Sequence, residues 1–168
     1  KHLHGRLEMS EIAIGKKNKG GVKQVFIEIG LLTLSIVLFA LSFPNILSVW
    51  GLFPLVFICL TPFFIVVNRC GWGKIFIYGT VYGYASYAVF NYWLATFHPL
   101  AIVIVPVIYA AYFLVLGPFL KLADRLMPRF GFLVQAGLWL SYEYLRTLGF
   151  LGFPYGNIGY SQYLFRPF

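Results

Sequence analysis

Five apolar runs constrain this chain more than any other feature of its sequence. They cover about residues 25–43, 52–67, 75–95, 100–120 and 132–148. Most approach the roughly 20 residues that an α-helix needs to cross about 30 Å of hydrocarbon. Hydrophobic residues make up 60% of the chain and charged residues 11%, where a soluble domain needs about a quarter charged to cover its surface. The abundance of Tyr and Trp suits the headgroup level of a bilayer. The sequence therefore reads as an all-α integral membrane protein. It has about five transmembrane helices followed by an extracytoplasmic interfacial Gly/aromatic segment, residues 150–168.

The breaks between the runs have local reasons. Pro44 ends the first, because proline lacks an N–H and restricts the residue before it. The second is short. Pro54 fits its first turn, Pro62 is expected to kink it, and Trp50 is expected to anchor it at the interface. In the third, Gly79 and Gly83 form a small-xxx-small pair that lets another helix approach. Pro106 is expected to kink the fourth run, and residues 121–129 then read as a charged loop. Glu28 is expected in the first turn of the first helix, where the positive end of the helix dipole would favour its carboxylate. His98, with no visible partner, reads as structural.

Charge sets the orientation. Residues 1–24 form a basic segment that reads as a mobile cytoplasmic tail. With five spans, Lys23, Arg69, Lys74, Lys121, Arg125 and Arg129 all fall on the same side as this tail, and only Arg146 and Arg166 fall near the other. The excess of Lys and Arg on cytoplasmic loops places the N-terminus in the cytoplasm and residues 152–155 outside. The charge of +8 is thus topological, and no nucleic-acid role is expected. Cys59 and Cys70 are too few for a disulfide framework and read as free thiols. No His/Cys/Asp/Glu cluster has metal-ligand spacing, and no cofactor is expected.

The stretch Trp139 to Gln162 carries the candidate site. Glu143 and Arg146, at i and i+3, lie on one helical face and can neutralise each other. Two charges so near hydrocarbon are expensive unless they face protein or a water-filled cleft. They read either as a structural pair or as a site for a polar headgroup. After them come Gly149, Gly152, Gly156 and Gly159, with Pro154 between. Glycine permits positive φ and close approach, and Phe153, Tyr155 and Tyr160 add flat surface suited to acyl chains. Gln162 closes the motif. The sequence shows no nucleophile–base–orienter set.

The pattern Trp139-x3-Glu143-x2-Arg146, then Gly152-Phe-Pro-Tyr155, then Gly159-Tyr-Ser-Gln162 resembles the end of the fifth membrane segment of apolipoprotein N-acyltransferases. Those enzymes usually show Trp where Tyr155 stands. Ala40-Leu-Ser-Phe-Pro44 with Trp50 and Pro54 resembles the family's first loop and second segment. Gly79 to Tyr84 with Asn91-Tyr-Trp-Leu94 resembles its third. The resemblance implies transfer of an acyl chain from a phospholipid to the N-terminal S-diacylglyceryl cysteine of a lipoprotein, in the bacterial inner membrane. It implies a phospholipid acyl donor, a diacylated apolipoprotein and the bilayer as partners. It also implies substrate contacts at Glu143, Arg146, Gly152, Phe153, Pro154, Tyr155, Tyr160 and Gln162. The family's catalytic Glu, Lys and Cys belong to a separate hydrolase-type domain, and none of the three falls within these residues, so no catalytic residue and an inactive fragment are expected. A non-catalytic lipid- or partner-binding subunit and a small transporter are the alternatives. A transporter calls for an internal repeat or a mid-membrane charge, and neither stands out.

Overall fold

The computed structural model describes residues 2–45, 47–148, 152 and 155–162, with side chains from residue 21 onward. Phe153 and Pro154 of the expected turn lie outside the described residues. Among those described, the chain is helical and contains no strand. Its helices are α1 His2–Ser42, α2 Thr61–Arg69, α3 Trp72–Phe90, α4 Ala101–Leu126 and α5 Gly131–Leu145. Short 3-10 turns occupy Phe53–Phe57, Tyr92–Thr96 and Ile158–Gln162. Two stretches, Gly21–Ser42 and Ala101–Leu126, are long and apolar enough to cross a membrane.

Several boundaries depart from the sequence expectation. Helical backbone runs from His2 through the basic segment, so Glu28 stands inside α1 rather than in its first turn. Side chains replace the helix dipole as its partners. Glu28 accepts from Gln24 Nε2 at 2.9 Å, Lys74 Nζ at 2.9 Å and Tyr78 OH at 2.7 Å. Residues 52–67 divide into the turn Phe53–Phe57 and α2. Pro54 and Pro62 each fall in a first turn, where a missing N–H costs nothing. Pro62 thus starts a helix instead of kinking one. The break is sealed by side chains. Ser35 Oγ donates to the Cys59 carbonyl at 2.6 Å, and Cys59 Sγ to that of Val56 at 3.2 Å. Helix α4 continues past the expected loop start. Lys121 is consequently helical and buried, donating to the Val67 carbonyl at 3.0 Å.

Contacts fix the direction of each helix. Phe43 after α1 packs on Phe90 at the end of α3, with ring centroids 4.8 Å apart. Glu28 meets Lys74 at the start of α3, so α1 and α3 run the same way. Lys121 reaches the end of α2, and Gln135 near the start of α5 donates to Asn68 Oδ1 at 2.7 Å and to the Leu120 carbonyl at 3.0 Å. Helices α2 and α4 therefore run opposite to α1, α3 and α5. One end collects Lys23, Arg69, Lys74, Lys121 and Arg125. The other collects Phe43, Phe90, Trp93 and Tyr155.

Between the ends the interior is aromatic. Phe63 stacks on Tyr82 with centroids 4.1 Å apart, and Phe113 packs against both. Glycine lets α3 and α4 touch, as the small-xxx-small spacing anticipates. A β-carbon on Gly79 would sit 2.7 Å from the Phe113 carbonyl oxygen, and one on Gly83 2.8 Å from the Phe113 ring. Large apolar side chains such as Phe26, Ile77, Ile104, Val115 and Leu140 face outward. Cys59 and Cys70 are free and buried, and burial pushes the Cys70 thiol above its ordinary value.

Candidate functional site

Helix α5 places Trp139, Tyr142 and Glu143 on its buried face, and Arg146 caps its C-terminus. Glu143 and Arg146 are both buried, yet they form no ion pair with each other. Among the described residues the ion pair found is Glu28–Lys74. Helix geometry brings the two side chains near one another, but the chain beyond the helix engages each separately. Glu143 Oε1 accepts from Trp139 Nε1 at 3.1 Å and from the backbone N–H of Ile158 at 2.9 Å. Arg146 Nη1 donates to Tyr109 OH at 3.1 Å and to the Tyr155 carbonyl at 3.0 Å. One residue therefore binds an amide of the following loop, and the other a carbonyl. Together they fasten residues 155–158 to the bundle.

Arg146 keeps its charge in place without a carboxylate. Its guanidinium carbon lies 5.3 Å, 5.5 Å and 5.6 Å from the ring centroids of Tyr87, Tyr109 and Tyr142. Almost equally far from two parallel rings stacked 3.5 Å apart, the cation lies beside the edges of Tyr87 and Tyr109, and the Tyr109 hydroxyl and Tyr155 carbonyl accept its hydrogen bonds. These tyrosines are fixed in turn. Tyr87 and Tyr109 stack with centroids 3.5 Å apart, and Tyr142 OH donates to Tyr87 OH at 3.2 Å. Arg146 is also well placed at a helix C-terminus, where the dipole favours positive charge.

Above this seat lies an apolar cavity of about 590 Å³, lined by Phe43, Pro44, Phe90, Trp93, Tyr155, Gly156 and Tyr160. That volume is in the range of small-molecule sites. Trp93 and Tyr155 pack ring to ring at 5.6 Å. Buried polar atoms beside the cavity have no partner among the described residues: Nδ2 and Oδ1 of buried Asn91, Nε and Nη2 of buried Arg146, and Oδ1 of half-buried Asn157. Asn91 and Asn157 adjoin lining residues in sequence, and Arg146 holds one through its carbonyl. A buried polar group left unpaired costs about 1–3 kcal/mol.

Of the residues expected at the site, Glu143, Arg146, Tyr155 and Tyr160 come together here. Gly152 and Gln162 are half-buried, Gln162 ending the turn Ile158–Gln162. Sequence reasoning missed Phe43, Phe90, Asn91, Trp93, Gly156 and Asn157 as site residues. Asn91, a buried amide where an apolar run ends, carried the clearest signal. The contribution of Gly156 needed the fold to be seen.

Residues 35–168 match the family model of the apolipoprotein N-acyltransferase N-terminal domain. The chain is 42% identical over 145 residues to apolipoprotein N-acyltransferase 1 of Treponema denticola, covering 85% of this chain and 27% of that protein. It is 42% identical over 137 residues to apolipoprotein N-acyltransferase 1 of Treponema pallidum, covering 82% and 25%. It is 30% identical over 147 residues to the apolipoprotein N-acyltransferase of Geobacter metallireducens, covering 80% and 27%. The chain thus spans about a quarter of the length of these curated relatives. No solved structure matches it. The order of its motifs and these likenesses agree: the chain belongs to the apolipoprotein N-acyltransferase family, through that family's N-terminal domain.

Proposed function

We propose that these residues are the membrane portion of an apolipoprotein N-acyltransferase. They would sit in the bacterial inner membrane as about five spans with the N-terminus in the cytoplasm. The whole protein would transfer an acyl chain from a phospholipid to the N-terminal S-diacylglyceryl cysteine of a lipoprotein. The basic end is then cytoplasmic, and the outward apolar side chains meet lipid. The aromatic end faces outward and receives substrate.

One observation carries the assignment of the site. Arg146 and Glu143 clamp residues 155–158 beside an apolar cavity whose margin bears unpaired polar atoms. The apolar volume suits an acyl chain, and the unpaired donors and acceptors suit the polar group to which it is attached. Holding the loop before substrate arrives lowers the ordering cost of binding. The chemistry needs an activated nucleophile. Both cysteines here are buried, so the bond-making groups would come from other parts of the longer protein, and residues 1–168 alone are expected to be inactive.

The test is complementation of a strain depleted of its own acyltransferase, using a full-length protein that carries this segment. Arg146→Met keeps bulk but removes the donors, and activity should fall at least tenfold at matched membrane levels. Tyr155→Trp should be tolerated, since it keeps a flat ring against Trp93, whereas Tyr155→Ala should weaken turnover. Growth of the Arg146→Met strain equal to the parent would defeat the site assignment.

A further inference from the structure

We propose that the basic end carries a second lipid site, a groove between α1 and α2 that holds an anionic phospholipid by its headgroup phosphate and the first part of one chain. The cavity there measures about 250 Å³ and is lined by Lys23, Gln24, Ile27, Glu28 and Leu31 of α1 and by Val66 and Arg69 of α2. It lies at the opposite end of the bundle from the site described above. The proposal rests on the bilayer placement just given, and on no property of that outer site.

The two helices present the same order of chemistry. On α1, Lys23, Ile27 and Leu31 follow at intervals of four, so they share a face, with the cation outermost and the apolar pair towards mid-bundle. On α2, Arg69 stands outermost and Val66, three residues earlier, lies deeper. The antiparallel helices thus place two cations at one level and apolar side chains at the next. A phospholipid has this sequence of groups along its length. Free phosphate or a soluble acidic metabolite would leave the apolar floor unused.

The carboxylate in the groove does not cancel the cations. Glu28 is 3% exposed and already accepts from Lys74, Tyr78 and Gln24. Lys23 is exposed, as is Arg69, and neither makes an ion pair among the described residues. The other cations nearby are engaged. Lys121 donates to a carbonyl, and Arg125 lies over the Trp72 ring at 6.0 Å. Two unpaired cations favour a headgroup with net negative charge over a zwitterion. Each basic side chain at an anionic surface gains about fivefold in affinity, so the pair should prefer an anionic lipid by about 25-fold.

The full chain, reconstituted in phosphatidylcholine nanodiscs, would be titrated with phosphatidylglycerol, and bound lipid would be counted by native mass spectrometry. Phosphatidylglycerol should be retained in preference to phosphatidylcholine. Lys23→Gln with Arg69→Gln should bring that preference to within about twofold of none, while Lys23→Arg with Arg69→Lys should keep it. Ile27→Asn should weaken retention with the cations intact, and millimolar glycerol 3-phosphate should not displace the lipid. Near-UV circular dichroism would verify that each variant keeps the parent's packing. A double Gln variant that keeps the parent's preference for phosphatidylglycerol, or displacement by glycerol 3-phosphate, would overturn the site alone. Failure of the chain to enter nanodiscs would overturn both the site and the bilayer placement.

Discussion

At Gly156 the backbone takes φ +82°, and a β-carbon there would lie 2.9 Å from the Phe90 ring and 3.3 Å from Tyr87. An L-residue in this conformation costs about 1–2 kcal/mol, and the two rings are themselves packed. Gly156→Val should therefore push residues 155–158 off the bundle and abolish complementation. Gly159→Ala, three residues on and with nothing within 4 Å of its β-carbon, should complement like the parent. Matched membrane levels of the two variants would separate a local effect from failed insertion. Equal complementation would show that the turn is a simple connector. A segment with four glycines shows that the backbone bends, but not which glycine bears the strain. That depends on Phe90 and Tyr87, which are remote in sequence. The charge pair was legible in kind and misread in partnership for the same reason. Spacing within one helix brings Glu143 near Arg146, but the competing amide of Ile158 and carbonyl of Tyr155 enter only with the fold.

Among the described elements, α3 and α4 pack backbone to backbone, and Gly79 permits it. Adding a side chain where a carbonyl lies 2.7 Å from the β-carbon forces helices apart, and overpacking of this kind costs about 1–3 kcal/mol. Gly79→Val should lower the unfolding midpoint of the detergent-solubilised chain. Gly137→Ala, on the open face of α5, should leave it unchanged or raise it, since Ala is the better helix former by about 1 kcal/mol. The reverse order of stabilities would refute the close-contact reading. Element existence was readable because apolar length and glycine spacing are local properties. Boundaries were less so. Residues 121–126 look like a loop by charge, but Lys121 finds the Val67 carbonyl and the helix continues. Residues 52–67 look like one apolar run, but two prolines each start a helical segment and divide it.

For the whole molecule, the separation of a basic end from an aromatic end yields a test of orientation. Cys70 is a poor reporter, being 2% exposed, and burial pushes its thiol above its ordinary value. Met127 and Phe97 are exposed, at 52% and 77%, and stand at opposite ends. In spheroplasts, a membrane-impermeant maleimide should label Phe97→Cys and spare Met127→Cys until the membrane is opened. Labelling of Met127→Cys alone would invert the orientation.

The aromatic interior has a consequence for the energised membrane. Between the Glu28–Lys74 pair and Arg146, the buried side chains include Phe63, Ile75, Tyr82 and Phe113, each at most 1% exposed. The buried polar groups on the way are hydroxyls such as Ser35 and Ser86, already bonded to carbonyls. Among the described residues, a proton or ion leaving one end meets no carboxylate, imidazole or basic side chain before the other, and crossing apolar packing is prohibitive. Placed across a membrane as proposed, the bundle would act as an electrical insulator. If the bundle spans the membrane as proposed, cells that make it in quantity should hold their transmembrane voltage, and the proposed lipid chemistry at the outer face would proceed without discharging the gradient beneath it.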